Sequence, residues 1–174
     1  MDKNQLDRLY RAFLAEDIGR GDLTSESIFS AEQTGRADIV ARETFVAAGA
    51  EIIGGRVFEV QNPAVRISNP VADGTRMQAG DVLFSVSGPV IDLLKAERVA
   101  LNLLQRISGI ATFTAKFVDR VKAYPVRICD TRKTTPGLRM LEKYGVVAGG
   151  GFNHRFNPSR CPQAPAVCYR LWPG

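Results

Sequence analysis

Two short stretches of this chain carry residue types suited to holding anions. The first is Asp130-Thr131-Arg132-Lys133-Thr134-Thr135, which runs on through Pro136-Gly137-Leu138-Arg139. The second is Gly149-Gly150-Gly151-Phe152-Asn153-His154-Arg155. An arginine guanidinium grips a carboxylate or phosphate at two points, and a lysine ammonium adds a compact charge. Thr131, Thr134 and Thr135 supply hydroxyl donors, and His154 can bond a phosphate, orient a ligand or transfer a proton. From Arg127 to Arg155, four Arg and two Lys stand against one Asp and one Glu, which is +4 of the formal +5 of the whole chain. The rest of the chain is nearly neutral. Charge so localised fits a small polyanionic ligand better than a diffusely basic surface. Each feature alone has a plainer reading. An Arg-Lys pair can be a solvated loop, a glycine triplet a tight turn, and a lone histidine a structural hydrogen-bonding group. The triplet matches neither a Walker A loop nor the dinucleotide fingerprint.

Composition narrows the class. A chain of 174 residues, 45% apolar, buries one good core, or one and a small appendage. No segment approaches a membrane-spanning length without charges, and the N-terminus runs straight into an amphipathic pattern with no signal-peptide core. Cys129, Cys161 and Cys168 form no CxxC pair, so a reducing cytoplasm is expected. With a single histidine and no cysteine cluster, no zinc site is expected. A nucleic-acid-binding module would spread its charge along a face with exposed aromatics, and this chain confines it to two clusters.

The elements that must position these residues follow from periodicity. Leu6, Leu9, Tyr10, Phe13 and Leu14 predict a helix capped by Asp2 or Asn4 and ending near Gly19-Arg20-Gly21. Residues 35 to 90 alternate short apolar runs (37–41, 65–68, 82–86) with turn signals such as Asn69-Pro70 and Asp73-Gly74, and Glu51 to Val60 reads as a helix between strands. From Ile91 a helix carries Leu93, Leu94, Ala100, Leu101 and Leu104. Arg98 falls between Leu94 and Leu101 on what reads as an apolar face, where a charge needs a partner. Ser108-Gly109 is expected to break this helix, and a second one runs through Phe113, Phe117, Val118 and Val121 to a stop before Pro125. Val126 to Cys129 reads as a strand, Pro136 to Tyr144 as a helix and Gly145 to Ala148 as a second strand. That order implies a parallel sheet or barrel whose C-terminal strand ends collect both basic clusters.

Several segments resemble, in order and spacing, the quinolinate phosphoribosyltransferase family, also called nicotinate-nucleotide pyrophosphorylase (carboxylating). They are Glu16-Asp-Ile-Gly-Arg-Gly-Asp-Leu-Thr24, Glu97-Arg98 with Leu101-Asn102, Ser108-Gly-Ile-Ala-Thr112, Asp130 to Arg139, Leu141-Glu-Lys-Tyr144 and Gly149 to Arg155. The resemblance implies an α/β fold: an N-terminal α/β sandwich domain followed by an open α/β barrel, incomplete here, paired as a homodimer. It also implies a reaction. Quinolinate and phosphoribosyl pyrophosphate give nicotinate mononucleotide, pyrophosphate and carbon dioxide in NAD biosynthesis, with Mg²⁺. On this resemblance Thr131, Arg132, Lys133, His154 and Arg155 bind substrate, Lys133 and His154 are the catalytic candidates, and Arg98 reaches the active site of the neighbouring subunit. Neither a nucleic acid nor a membrane partner is implied.

The chain departs from the family pattern after Arg155. Family members continue with Gly-Leu-x-Asp and then Lys-Asp-Asn-His. Here Phe156-Asn157-Pro158-Ser159-Arg160-Cys161 follows, and Pro165 stands at the place of that lysine. Four of nine prolines, two of three cysteines and the only tryptophan lie in the last eighteen positions. The expected organisation is therefore a sandwich domain with its exit helix at 1–109, a partial barrel at 110–156, and an aberrant tail on a truncated product at 157–174. Mg²⁺ ligands are then expected from the missing part and from substrate phosphates, with little activity from this chain alone. Two alternatives are a molybdenum-transport-associated paralogue and a non-catalytic dimerising remnant. Asp130 before the Thr-Arg-Lys triplet and the intact Asn-His-Arg favour the quinolinate enzyme over the paralogue.

Overall fold

In the computed structural model, residues 2–155 are described. The first helix, α1 (Lys3–Ile18), starts where the Asp2 carboxylate accepts the Asn4 N–H at 2.9 Å and stops at Gly19, whose φ is 58°. Leu6, Tyr10 and Leu14 recur one turn apart and form its buried stripe. The Tyr10 hydroxyl donates to the Ile52 carbonyl at 2.9 Å. A short α2 (Leu23–Ile28), capped by Asp22 through the Ser25 N–H at 3.1 Å, was not anticipated from the sequence. Its six residues are too few to show a period.

The alternating region folds as β1 (Thr34–Val40), β2 (Phe45–Val46), a π-helical segment (Ala50–Gly55), α3 (Arg56–Gln61), β3 (Arg66–Ser68), β4 (Arg76–Met77) and β5 (Val82–Pro89). β1, β5 and β3 form an antiparallel sheet with β5 in the middle, and β2 pairs with β4. The central strand is the one with four consecutive buried residues, Leu83 to Val86. The ring of Phe58 on α3 meets that of Phe84 edge-on, with centroids 6.3 Å apart. The π-helical segment, the long helix that follows β5 and, through Phe58, α3 lie against this layer, and α1 packs on α3 and that long helix behind them, which makes the α/β sandwich.

Chain then enters α4 (Val90–Val121), 32 residues without interruption. The expected break at Ser108-Gly109 does not occur. Ser108 is buried and its hydroxyl accepts the Ala48 N–H at 3.2 Å. One turn on, the Thr112 hydroxyl accepts the Val46 N–H at 2.8 Å and donates to the Ser108 carbonyl at 2.7 Å. Both hydroxyls thus satisfy backbone groups of the β2 region on the buried side of the helix. A mid-helix glycine costs about 1 kcal/mol, which this packing outweighs. Arg98 is also placed differently from expectation. The buried stripe is Leu93, Ala96, Val99, Ala100, Leu103, Leu104, Ile107 and Ala111, while Leu94, Glu97 and Arg98 are exposed. Apolar residues surround the first half of this helix, so periodicity alone could not say which stripe faces inward.

Beyond α4, the expected strand at 126–129 contributes a single parallel bridge, Cys129 to Phe152. Helix α5 (Arg139–Ala148) starts three residues later than expected and absorbs the segment read as a second strand. Val146 and Val147 favour a strand locally, but Leu141, Tyr144, Gly145 and Ala148 lie on the side that packs on α4. A Cβ on Gly145 would come within 2.9 Å of the Ile107 carbonyl oxygen, so the two helices touch backbone to backbone there. The second strand position moves on to Phe152. The architecture is an α/β sandwich followed by the opening strand–helix–strand unit of an open α/β barrel. Residues expected to form an aberrant tail, 157–174, lie outside the described residues.

Candidate functional site

The bridge between Cys129 and Phe152 brings the two basic clusters to the same edge. The Phe152 N–H donates to the Ile128 carbonyl at 2.8 Å, and the Asp130 N–H to the Phe152 carbonyl at 3.0 Å. Thr131, Arg132 and Lys133 leave the first strand end, and Asn153, His154 and Arg155 leave the second. This is the side-by-side placement expected from the sequence, reached through a different second strand.

A buried carboxylate ties the clusters together. Asp130 Oδ1 accepts from Lys143 Nζ of α5 at 2.5 Å and from the His154 N–H at 2.8 Å. Lys143 Nζ also donates to the His154 carbonyl at 3.2 Å. With the Asn153 amide oriented to suit its neighbours, its nitrogen donates to Asp130 Oδ2 at 2.5 Å and to the Lys143 carbonyl at 3.0 Å. Side-chain exposure is 1% for Lys143 and 4% for Asp130.

The loop after Lys133 is held by other charged groups. Arg139 donates to the Thr134 hydroxyl at 3.1 Å and to the Arg132 carbonyl at 3.3 Å. Glu142 accepts from Arg106 of α4 and, at 3.2 Å, from the Thr135 N–H. Burial raises the Glu142 pKa, but the hydrogen bonds from Arg106 and Thr135 outweigh it and hold the carboxyl below its ordinary value. The Arg127 guanidinium lies 4.6 Å from the centre of the Phe152 ring.

These partners divide the positive charge. Lys143 is matched by Asp130, and Arg139 is engaged with the loop backbone. Arg132, Lys133 and Arg155 are exposed and form no ion pair among the described residues. The Thr131 hydroxyl accepts the Lys133 N–H at 3.2 Å, which turns the chain at the strand end, and His154 is half-buried beside it. Sequence reasoning found the three unpaired cations and missed the residues that hold them. Lys143 and Glu142 lie in a helix whose register on α4 no local pattern reveals. The glycine triplet also serves packing. A Cβ on Gly149 would sit 2.3 Å from the Ala111 carbonyl oxygen, and one on Gly151 would sit 2.7 Å from Val146. Only Gly150, exposed with φ of 85°, uses the left-handed freedom of glycine.

Arg98 stands apart from this edge. It is 72% exposed and its guanidinium is 3.3 Å from Asp17 at the end of α1. The buried partner expected for it is not needed at that exposure. Metal ligands are not gathered here: among the described residues no group of three or more His, Cys, Asp or Glu could hold an ion, and Asp130 is engaged with Lys143. These residues do not by themselves fit a Mg²⁺ site. Among them, no helix is long and apolar enough to cross a membrane.

Comparison with known proteins agrees with the geometry. Residues 22–108 match the model of the quinolinate phosphoribosyl transferase N-terminal domain, and residues 110–161 that of the C-terminal domain. The chain is 51% identical over 156 residues to a probable nicotinate-nucleotide pyrophosphorylase [carboxylating] of Bacillus subtilis, covering 90% of this chain and 53% of that protein. It is 42% identical over 149 residues to the nicotinate-nucleotide pyrophosphorylase [carboxylating] of Mycobacterium leprae, covering 83% and 52%. The crystal structure of NadC from Streptococcus pyogenes superposes with a TM-score of 0.87 at 41% identity, covering 91% of this chain and 56% of that one. The nicotinate-nucleotide pyrophosphorylase from Francisella tularensis superposes with a TM-score of 0.83 at 34% identity, covering 91% and 56%. The chain thus spans about half the length of the relatives it matches. With both domain models matched in order and the fold reproduced, the chain belongs to the quinolinate phosphoribosyltransferase family.

Proposed function

We propose that this chain carries part of a site for phosphoribosyl transfer from phosphoribosyl pyrophosphate to quinolinate, with decarboxylation, in NAD biosynthesis. The observation that supports it is the Asp130-centred junction. It sets Thr131, Arg132 and Lys133 beside His154 and Arg155, with three cations left unpaired. Quinolinate brings two carboxylates and the second substrate brings a phosphate and a pyrophosphate, which are the groups such cations hold. The proposed work of the site is positioning and electrostatic stabilisation. Arg132 and Arg155 hold carboxylates, and Lys133 and His154 offset charge on the reacting groups. The pyridine nitrogen forms a bond to the ribose anomeric carbon as the carbon–oxygen bond to pyrophosphate breaks. The ring nitrogen becomes cationic, the adjacent carboxylate leaves as carbon dioxide, and the electron pair left on the ring carbon takes up a proton.

Mg²⁺ is proposed to arrive with the substrate phosphates, since the described residues supply no ligand set for it. The division into a sandwich part at 1–109 and a barrel part at 110–156 is proposed on the same basis. So are a cytoplasmic location and a homodimer in which Arg98, exposed and only 3.3 Å from Asp17, exchanges that contact for the partner's site. The experiment is calorimetric titration of the 174-residue chain with quinolinate and with phosphoribosyl pyrophosphate, followed by a turnover assay. The expected result is weak binding of both with little or no turnover, because the site is incomplete in the part described. Failure of the folded chain to bind either ligand at millimolar concentration would overturn the reading. Robust turnover would overturn the expectation of low activity.

A further inference from the structure

We infer that Asp130 and Lys143 act as a positioning pair which sets the spacing of the two cation clusters. Two ionised groups with side chains 1% and 4% exposed are costly to bury, and a well-packed apolar pair would often be as stable or more so. Fold stability is therefore a weak reason for this pair. Its geometry supplies a stronger one. A single oxygen, Asp130 Oδ1, receives both the Lys143 ammonium and the His154 backbone N–H, and the same ammonium reaches the His154 carbonyl. His154 is thus held on both sides of its peptide framework by a pair anchored one residue before Thr131. The other carboxylate oxygen takes Asn153. Moving Asp130 by an ångström would move His154 and Arg155 with it relative to Arg132 and Lys133.

Both side chains of the pair are enclosed, so its proposed part is to position other groups. Its role is to fix where the exposed cations stand, and in that sense it rests on the anion-binding reading above. A hydrogen-bonded charge pair specifies direction and distance, which an apolar contact does not.

The test uses the fact that His154 is the single histidine of the chain, so its side-chain and backbone NMR signals are assigned without ambiguity. Removing one partner alone would strand a buried charge and unfold the region. The informative variant is therefore the double exchange Asp130→Leu with Lys143→Met, which removes both the charge pair and the side-chain acceptor, checked for native circular dichroism. Two measurements are made on the wild-type and double-variant chains. One is hydrogen exchange of the His154 amide, and the other is affinity for inorganic pyrophosphate, read from the His154 imidazole signals. The expected result is protection of the His154 amide in the wild-type chain and loss of it in the folded variant. Pyrophosphate affinity should fall about tenfold or more, in line with the sensitivity of such sites to misplacement by an ångström. Equal protection in the two chains overturns the pair's role whether or not any anion binds. Unchanged affinity despite lost protection also overturns it. Absence of pyrophosphate binding by the wild-type chain counts against the anion-binding reading, and the exchange measurement then decides the clamp by itself.

Discussion

Arg132, Lys133 and Arg155 are each exposed without a carboxylate partner among the described residues, as is Arg127, whose guanidinium instead lies over the Phe152 ring. On the proposed function, replacing any one of the first three with Ala should leave thermal stability nearly unchanged and weaken binding of quinolinate or pyrophosphate by about tenfold or more, as calorimetry would show. Arg139→Ala should behave differently, lowering stability as well, because it removes bonds to Thr134 and to the Arg132 carbonyl. The contrast between these groups was not legible in the sequence. Arg132 and Arg139 are both arginines of one basic run, and only the folded loop shows that one is free and the other engaged. Arg98 makes the complementary point. Its spacing from Leu94 and Leu101 read as an apolar face, and the helix turned that face to solvent.

Paired carboxylates control how the helices respond to pH. Asp7 accepts two bonds from Arg56, which lower its pKa against the opposing effect of burial. Glu142 is likewise held below its ordinary 4.5 by Arg106 and Thr135, against burial. For both groups the folded pKa lies below the unfolded one. Their contribution is fully present above the ordinary carboxylate range, and it is lost as pH falls through the folded values, because the unfolded chain then binds more protons. Denaturant midpoints should therefore fall steeply below about pH 4.5, and the double variant Asp7→Asn with Glu142→Gln should flatten that acid limb. At α5 the governing feature is contact with α4. Gly149→Ala would put a methyl carbon 2.3 Å from the Ala111 carbonyl oxygen and should cost about 1–3 kcal/mol in equilibrium unfolding. This contact also explains why the C-terminal half of α5 was misread. Val146-Val147 carries a strand preference that is local, and the packing that overrides it involves residues some forty positions earlier, Ile107 to Ala111.

Across the whole molecule, apolar side chains remain on the described surface, including along the second half of α4. Phe113 and Phe117 on α4 are 62% and 44% exposed and meet edge-on, with ring centroids 4.9 Å apart. Such surface favours association. The chain by itself should show concentration-dependent association in light scattering, and Phe113→Lys with Phe117→Lys should reduce it without lowering helicity. The layered α/β character and the two basic strand ends were readable because they rest on alternation, helical spacing and charge. The continuity of α4 was not, since Ser108-Gly109 has the composition of a break and becomes the middle of a helix. That continuity has a consequence for modularity. The two family domains meet between residues 108 and 110, inside the 32-residue α4, at the point where its hydroxyls hold the β2 region. A seam placed there by recombination or by protein engineering would sever a buried helix. The natural unit of exchange in this architecture must carry all of α4 with the sandwich it closes, and the barrel must be grafted after it.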